Sequence, residues 1–272
     1  MEYTKFDMHC HTHEGSPDSE ISVADYISEL KKKGFGGMLI ADHNSYKGYE
    51  TAMKMPSEEP SFGDNADTSF VVLKGMEYDT GDFGHMLVVL PHGTELKHLK
   101  HRGLPLLQLI DEVHRAGGII GPAHPCGETF LSFQSTGRLI RERFLKKNIW
   151  PLFDFAEGYN ACEPDENNLL ARKYAGRYML PMTGGSDAHW RKAIGRGYAY
   201  LPKNIKSEDD LIDYIRSSPD IRIGGKKFNG TTKDKLGKAN KLLVYGFYFY
   251  NKFEVLFHLP GRINVIRKDR KG

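Results

Sequence analysis

The chain has 272 residues, of which 39% are hydrophobic and 27% are charged, and its formal net charge is +3 at pH 7. These values are normal for a soluble globular protein with an ample core, built as one large domain or as one domain with an appendage. A net charge this small does not by itself indicate a nucleic-acid partner.

The three cysteines, Cys10, Cys126 and Cys162, are odd in number and far apart, which argues against a disulfide framework and for a reducing compartment. The N-terminus lacks the apolar region of a signal peptide. The longest apolar stretch, around residues 242–250, is too short to span a bilayer. We therefore expect a soluble cytoplasmic protein without membrane association, and the sequence indicates no obligate protein partner.

Strand-like and helix-like patterns alternate along the first two-thirds of the chain. In chain order, the patterns predict a strand over 4–11, a helix over 22–34, strands over 37–43, 69–78 and 84–90, a helix over 104–118, a strand over 118–125, a helix over 137–147, a strand over 152–160, a helix over 165–175, strands over 180–189 and 198–202, and a helix over 207–217. Residues 52–67 are expected to form a loop or an irregular helix. This alternation predicts a parallel sheet covered by helices, and both an open sheet and a closed barrel fit it.

The composition changes after about residue 224. A basic, glycine-rich stretch is followed by an aromatic run near residues 242–257 and by a basic tail. A positive patch beside aromatic rings could attract nucleic-acid phosphates. The alternative is a solvated linker that leads into a packed terminal helix or strand.

Side chains that can bind metal ions recur where the predicted strands end. His9 and His11 lie two residues apart on the first strand, so their imidazoles face one side and Cys10 faces the other. The later residues of this kind are Asp18, Asp42, His43, Glu77, His85, His124, Asp187 and His189. So many titratable groups in one cavity are costly to bury unless cations compensate them. Mixed imidazoles and carboxylates suit zinc, manganese or iron.

The ordered segments DMHCHT, ADHN, GMEY, GHMLVV, AHP and GGSDAH resemble the motifs of the PHP family, named for polymerase and histidinol phosphatase. The resemblance implies a distorted (β/α)7 barrel over residues 1–223, with residues 224–272 as a small C-terminal appendage. It also implies two or three divalent metal ions at the carboxyl ends of the strands. More narrowly, the chain resembles the small stand-alone metal-dependent phosphoesterases of this family, which act on nucleotides or short nucleic acids.

The same resemblance implies a first metal ion bound by His9, His11 and Asp187. It also implies that Glu77 is a carboxylate that bridges two ions.

By the same resemblance, His85 and His124 match ligands of a second ion. His43 and His189 match ligands of a third ion, with Asp18 as their partner.

Several residues near these motifs have more than one interpretation. His13 and Asp18 compete for the same ligand position. We expect Asp42 to orient an imidazole of the site. Glu157 could line the pocket, although packing, or support of a metal ligand from behind, is at least as good an interpretation. Cys10 should point away from the two histidines that flank it.

The chemistry expected of adjacent metal ions is phosphoester hydrolysis. Each ion lowers the pKa of a bound water molecule toward about 7, so a metal-bound hydroxide is available as the nucleophile. The resemblance assigns Glu77, Asp187 and His189 to catalysis. Arg191 and Arg196 follow the last metal motif and are predicted to bind the substrate phosphate, because guanidinium groups pair bidentately with its oxygens. The alternative is that both arginines are ordinary surface charges.

The sequence therefore predicts a metal-dependent phosphoesterase whose substrate is a phosphorylated small molecule or a short nucleic acid, with nucleotides and short oligonucleotides favoured. Trp190, Tyr46 and Tyr159 could stack on a base, with packed rings as the alternative. A phosphomonoesterase for a small metabolite such as histidinol phosphate is the alternative enzyme. A non-catalytic metal-binding module and a nucleic-acid-binding protein built around the basic tail are alternatives outside enzymes.

Overall fold

A computed structural model of the protein describes residues 2–56, 70–128, 131–136, 146–217, 219–240, 242–246, 249–250 and 253. Residues 137–145 of the predicted helix over 137–147, and residues 57–67 of the predicted loop over 52–67, lie outside these residues. The strands and α-helices, in chain order, are β1 (Tyr3–Cys10), α1 (Val23–Lys32), β2 (Phe35–Ile40), α2 (Lys47–Ala52), β3 (Val71–Lys74), β4 (Met76–Asp79), β5 (His85–Val89), α3 (Leu106–Arg115), β6 (Ile119–Pro122), β7 (Ala156–Asn160), α4 (Asp165–Arg177), β8 (Met182–Gly185), β9 (Gly197–Pro202), α5 (Glu208–Arg216), β10 (Ile223–Gly225) and α6 (Thr232–Leu236). Residues 146–149 and 242–246 are also helical.

The described strands form three sheets. The largest has five strands in the order β10-β9-β1-β2-β3, in which β1, β2 and β3 are parallel and β9 runs antiparallel to both of its neighbours. The second sheet, β4-β5-β6, is antiparallel, and the third consists of the parallel pair β7-β8. The predicted α/β class is confirmed.

Backbone contacts connect the three sheets. Isolated bridges pair Cys10 with Ala188 and His43 with Glu77. The Asp154 N–H donates a hydrogen bond to the Ile120 carbonyl at 2.9 Å, just before β7 begins. These contacts bring the ends of strands from all three sheets together at one place.

The structure departs from the predicted elements in several places. The predicted strand over 69–78 breaks at Gly75 into β3 and β4, which belong to different sheets. A regular repeat of strand and helix would make β4, β5 and β6 parallel, but they pair antiparallel. A closed seven-stranded barrel is not seen among the described residues. The helix α2 and the short strand β10 were not predicted. Because β10 ends at Gly225, the main sheet continues past the domain boundary predicted after residue 223.

Most predicted helices are found because their sequences carry both an apolar face and an end signal. In α1, Val23, Tyr26 and Leu30 are buried on one side, and the Ser22 side chain accepts a hydrogen bond from the Asp25 N–H. The helix α5 begins with a capping box, in which the Ser207 side chain accepts a hydrogen bond from the Asp210 N–H and the Asp210 side chain accepts one from the Ser207 N–H. None of the helices among the described residues is long and apolar enough to cross a membrane.

A cluster of aromatic side chains packs in the same part of the core as buried residues of β6 and β7. The Trp150 ring stacks on Tyr174 and on Tyr178, with centroids 5.5 and 5.7 Å away. Phe133 and Phe153 meet the same indole edge-on, at 5.2 and 5.8 Å. Trp150 is 1% exposed, so this cluster buries a large apolar area.

Gly185, at the end of β8, lies directly against the backbone of β1. A Cβ atom at this position would lie 2.2 Å from the Cβ atom of His9 and 2.7 Å from its backbone nitrogen. Because non-bonded atoms do not approach this closely, only glycine lets the two strands meet here. The approach also allows the Asp187 N–H to donate a hydrogen bond to the His9 carbonyl at 2.9 Å.

We expect Gly185→Ala to lower the free energy of unfolding by about 1–3 kcal/mol, because the added methyl group overpacks the contact between β8 and β1. Denaturant titration would measure the change. The matched control is Gly176→Ala on the exposed side of α4, where an added Cβ atom has nothing within 4 Å. That control should leave the stability unchanged or raise it by up to about 1 kcal/mol. Equal effects of the two substitutions would contradict the close-contact interpretation.

Candidate metal centre

All nine predicted metal ligands lie in one cluster where the three sheets meet. The members of this cluster are His9, His11, Asp18, His43, Glu77, His85, His124, Asp187 and His189. It contains three groups of residues, and within each group the donor atoms lie within 4.8 Å of one another. The groups are His9, His11 and Glu77; His43, Glu77 and His85; and His11, His43 and His189. Below, these nine residues are called the metal centre.

The innermost part of the metal centre is formed by the two histidines at the end of β1. Their Nε2 atoms are 3.0 Å apart, and both rings are fully buried. The His11 Nε2 atom also lies 3.2 Å from Glu77 Oε2 and 3.2 Å from Asp187 Oδ1. Ligand atoms that share one cation at about 2.0–2.2 Å are separated by distances of this size. The donor set and its spacing therefore fit a divalent metal ion.

Glu77 presents its two carboxylate oxygens to different pairs of imidazoles. Oε1 lies 3.0 Å from His85 Nδ1 and 2.9 Å from His124 Nε2. Oε2 lies 3.2 Å from His11 Nε2 and 3.2 Å from His43 Nδ1. A carboxylate in this position can belong to two adjacent ion sites at once.

The outer part of the metal centre is more accessible to solvent. Asp18 Oδ2 lies 3.1 Å from His189 Nε2 and 3.6 Å from His43 Nε2, and the Asp18 side chain is 56% exposed. His13, the competing ligand, is exposed and directs its Nδ1 atom to the Ser19 carbonyl at 3.3 Å. In this structure Asp18 is therefore the member of the pair that joins the cluster.

The second nitrogen of several rings is held by a hydrogen bond, which fixes the tautomer and the orientation of the ring. His9 Nδ1 lies 2.9 Å from Glu157 Oε1. His11 Nδ1 lies 3.1 Å from Ser16 Oγ, and that hydroxyl donates to Asp42 Oδ1 at 3.0 Å. Asp42 and Glu157 thus act on the site through imidazoles.

Asp79 belongs to the site and was not predicted. Its Oδ2 atom accepts a hydrogen bond from Asn44 Nδ2 at 2.8 Å. Its Oδ1 atom has no hydrogen-bond partner and lies 3.2 Å from His85 Nε2 and 3.6 Å from His43 Nδ1. Asp79 follows Glu77 by two residues on β4, so the alternation of side chains along a strand could have indicated it. A buried carboxylate oxygen in this position is a further sign that the centre fits a cation.

Three residues of the site hold a backbone conformation that is unfavourable for any residue except glycine. Asn44, His124 and Asp187 have φ angles of +50°, +28° and +50°. Such angles cost of order 1 kcal/mol or more and persist only where surrounding contacts enforce them. These residues follow β2, β6 and β8, so the unusual backbone angles occur where the chain leaves three strands beside the centre.

The charges of the centre compensate one another. Burial alone would raise the pKa of the Glu77 carboxyl, but the nearby imidazoles of His85 and His43 hold it well below its usual range. For His124, burial opposes protonation, yet the Glu77 carboxylate raises the pKa to about 9. Protonated imidazoles would supply the compensating positive charge, and a divalent cation would supply it in their place.

The remaining predicted residues lie outside the metal centre. Arg191 Nη2 is 2.5 Å from Asp25 Oδ1 on α1, and Arg196 Nε donates to the Lys192 carbonyl at 2.8 Å. Tyr46 and Tyr159 are buried, so these rings pack in the protein interior, whereas Trp190 remains partly exposed.

The predicted side of Cys10 is observed, because its thiol is buried and donates to the Asp7 carbonyl.

We expect Glu77→Gln to lower the number of divalent ions that each chain retains, because the amide nitrogen cannot act as a second carboxylate oxygen between the imidazoles. Elemental analysis after loading with manganese or zinc and gel filtration would measure the stoichiometry. Glu166→Gln, at an exposed position of α4, is the matched control and should bind metal like the unmodified chain. An unchanged metal content in Glu77→Gln would remove Glu77 from the ligand set.

A family model described as PHP-associated matches residues 165–218, which include α4, β8, β9 and α5. The uncharacterized protein MJ0417 from Methanocaldococcus jannaschii is 31% identical to the chain over 110 residues. The match covers 40% of this chain and 45% of that protein, so it spans less than half of the relative's length.

Two solved structures show the same fold. One is a two-domain protein from Bacteroides vulgatus that contains a predicted PHP-like metal-dependent phosphoesterase, with a TM-score of 0.56, 15% identity, and coverage of 83% of this chain and 65% of that chain. The other is a lesion-specific endonuclease from Pyrococcus furiosus, with a TM-score of 0.56, 18% identity, and coverage of 82% and 58%. The predicted hydrolase class agrees with the descriptions of both proteins. The resemblance to the PHP family is thus confirmed, since the chain carries a PHP-associated segment and has the fold of a PHP-like metal-dependent phosphoesterase.

Proposed function

We propose that the protein is a metal-dependent phosphoesterase that hydrolyses phosphate esters of nucleotides or short oligonucleotides. The observation that carries this proposal is the position of Glu77, whose two oxygens face different pairs of imidazoles at 2.9–3.2 Å. A carboxylate shared in this way can hold two divalent cations close together, and two adjacent cations suit the in-line displacement of a phosphoester.

When bound, the cations would polarise the phosphate oxygens and make water acidic enough to react at neutral pH. The residues of the chain supply the positioning. His9, His11 and Asp187 form the deep end of the site, and Glu77 separates it from the neighbouring donors. At the outer end, the His189 Nδ1 atom lies 3.1 Å from the Asp187 carbonyl. This contact places the proton on Nδ1, so Nε2, which lies 3.1 Å from Asp18 Oδ2, would be the nitrogen that binds a metal ion.

The preference for a nucleotide or nucleic-acid substrate has two supports. The structurally similar Pyrococcus furiosus protein is a lesion-specific endonuclease. In addition, Arg191 and Arg196 follow His189 closely in sequence, and both are proposed to bind substrate phosphate. The ion pair of Arg191 with Asp25 would have to open for this contact.

We also infer two or three ions per chain, drawn from zinc, manganese and iron, since three donor groups are present and their atoms suit each of these metals. Residues 1–223 are proposed to form a distorted barrel of the PHP type, with residues 224–272 as an extension. A cytoplasmic location is supported by the three cysteines, which are all free thiols.

The substrate class is tested by product analysis. Purified protein with added manganese would be incubated with a nucleoside bisphosphate, a short RNA and histidinol phosphate, each with and without a chelator. We expect chelator-sensitive cleavage of a nucleotide substrate. Cleavage of histidinol phosphate alone would instead support a metabolite phosphatase, and no turnover of any substrate would contradict the proposed activity.

We expect His9→Ala and Asp187→Ala each to lower kcat by at least about 100-fold, because each removes a donor from the deepest part of the site. Steady-state kinetics on the best substrate would measure the loss, and circular dichroism would verify the fold. The matched control is His114→Ala, an exposed histidine of α3 that faces Asp154. Retained activity in the first two variants would exclude the proposed mechanism.

For Arg191→Ala, we expect KM to rise about 10-fold with a smaller change in kcat, since a lost phosphate contact weakens substrate binding more than the chemical step. Arg177→Ala, in the last turn of α4, is a control for the general loss of a surface charge. A KM equal to that of the unmodified protein would show that Arg191 does not contact the substrate.

A further inference from the structure

Asp79 is a buried carboxylate whose two oxygens have different surroundings. Its Oδ2 atom accepts the hydrogen bond from Asn44 Nδ2 and lies 3.5 Å from the Arg102 Nη1 atom. The Asp79 N–H donates a hydrogen bond to Asn44 Oδ1 at 3.1 Å, so one amide side chain holds both the backbone and the carboxylate of Asp79. These contacts fix the carboxylate with Oδ2 beside Asn44 and Oδ1 beside the imidazoles of the metal centre.

Two buried polar atoms face each other on the imidazole side of Asp79. Asp79 Oδ1 and His43 Nδ1 both lack a hydrogen-bond partner and lie 3.6 Å apart. His85 Nε2 lies 3.2 Å from the same oxygen. Because a ring N–H aimed at this oxygen would form a hydrogen bond, neither imidazole donates to it here. A buried carboxylate oxygen without a donor is costly, and a cation bound between these atoms would satisfy it.

His85 and Glu77 offer further donors at the same position. His85 Nδ1 lies 3.0 Å from Glu77 Oε1, so Nε2 is the ring nitrogen on the Asp79 side. Glu77 Oε2 is 3.2 Å from His43 Nδ1. The donor atoms of His43, Glu77 and His85 lie within 4.8 Å of one another. With Asp79, two carboxylates and two imidazoles can therefore surround one divalent ion.

His43 could bind an ion on either of two sides, through different ring nitrogens. Its Nε2 atom is 3.6 Å from Asp18 Oδ2 in the outer part of the metal centre, whereas its Nδ1 atom faces Glu77 and Asp79. The side chain of Asp18 is 56% exposed and that of Asp79 is 2% exposed. Because charges attract more strongly where water is excluded, the Nδ1 side of His43 is favoured for a cation.

We propose that Asp79 is itself a metal ligand and that it completes a cation site with His43, Glu77 and His85. This inference rests on the proposed function only in its divalent ions, and it adds a donor to the nine residues of the metal centre. Two carboxylates balance the charge of one divalent ion, and the mixture of oxygen and nitrogen donors suits zinc, manganese or iron. The site uses His43 Nδ1, whereas an ion in the outer part of the metal centre would use Nε2.

Anomalous diffraction locates bound ions directly in the unmodified protein. Crystals grown with zinc would be measured at the zinc absorption edge, with no substrate present. We expect an anomalous peak about 2.0–2.2 Å from Asp79 Oδ1, with His43 Nδ1 and His85 Nε2 among the other ligands of that ion. Zinc peaks elsewhere in the metal centre, with none bonded to Asp79, would overturn the proposal.

Asp79→Asn tests the same ligand in solution. The hydrogen bond from Asn44 Nδ2 favours the new amide oxygen at the Oδ2 position, so the amide nitrogen replaces Oδ1 and cannot bind a cation. We expect one zinc ion per chain to bind at least about 100-fold more weakly, beyond the usual effect of removing a residue that only supports a ligand. Competition with a chromophoric chelator would measure affinity and stoichiometry.

The matched control is Asp213→Asn, which removes an exposed carboxylate of α5 and should bind zinc like the unmodified chain. Circular dichroism would verify the fold of Asp79→Asn, and the diffraction measurement decides the question if that variant does not fold. Unchanged zinc affinity in Asp79→Asn would overturn the proposal. A loss below about 100-fold with unchanged stoichiometry would also overturn it, since Asp79 would then only position the imidazoles.

Both measurements report metal binding without turnover. A failed substrate assay of protein that holds zinc at Asp79 would therefore count against the proposed function alone. Zinc bound only by the nine residues of the metal centre would count against the role of Asp79 alone.

Discussion

The burial of Glu77 among imidazoles is the constraint on which the rest of the structure depends. Its carboxylate is 1% exposed and lies at the meeting point of the three sheets. An uncompensated buried charge costs several kcal/mol, which is a large part of the free energy of unfolding of a typical domain. Compensation requires positive charge within contact distance, and this requirement explains why histidines lie at the ends of separate strands. The centre thus connects the three sheets and is also a candidate catalytic site.

A second set of buried polar contacts maintains the geometry of the centre. Asp7 accepts hydrogen bonds from the Ser186 N–H at 2.8 Å and from the Ser186 hydroxyl at 2.5 Å. Burial raises the pKa of Asp7 to about 6, despite these hydrogen bonds. The contacts secure the turn in which Asp187 holds its unfavourable φ angle. Asp7 and Ser186 therefore help to determine where a metal ion would lie, although neither of them is a predicted ligand.

The sequence was informative where a feature depends on local pattern. Alternation along β1 placed His9 and His11 on one side, and apolar periodicity located α1. It was not informative where pairing between distant segments decides the result. The break at Gly75 depends on which sheet each half joins, and the antiparallel order of β4 to β6 depends on partners far along the chain. The role of Asp79 depends on Asn44, 35 residues earlier, which holds one of its oxygens.

The donors of the metal centre are scattered from residue 9 to residue 189, and the unfolded chain has no reason to bring them together. Cations that bind these donors prefer the folded chain and act as removable crosslinks over most of the described residues. Such a ligand stabilises the fold by mass action, by about 2.7 kcal/mol when its free concentration is 100 times its dissociation constant. The supply of metal in the surroundings would then set how long the protein survives against unfolding and proteolysis, apart from any effect on turnover.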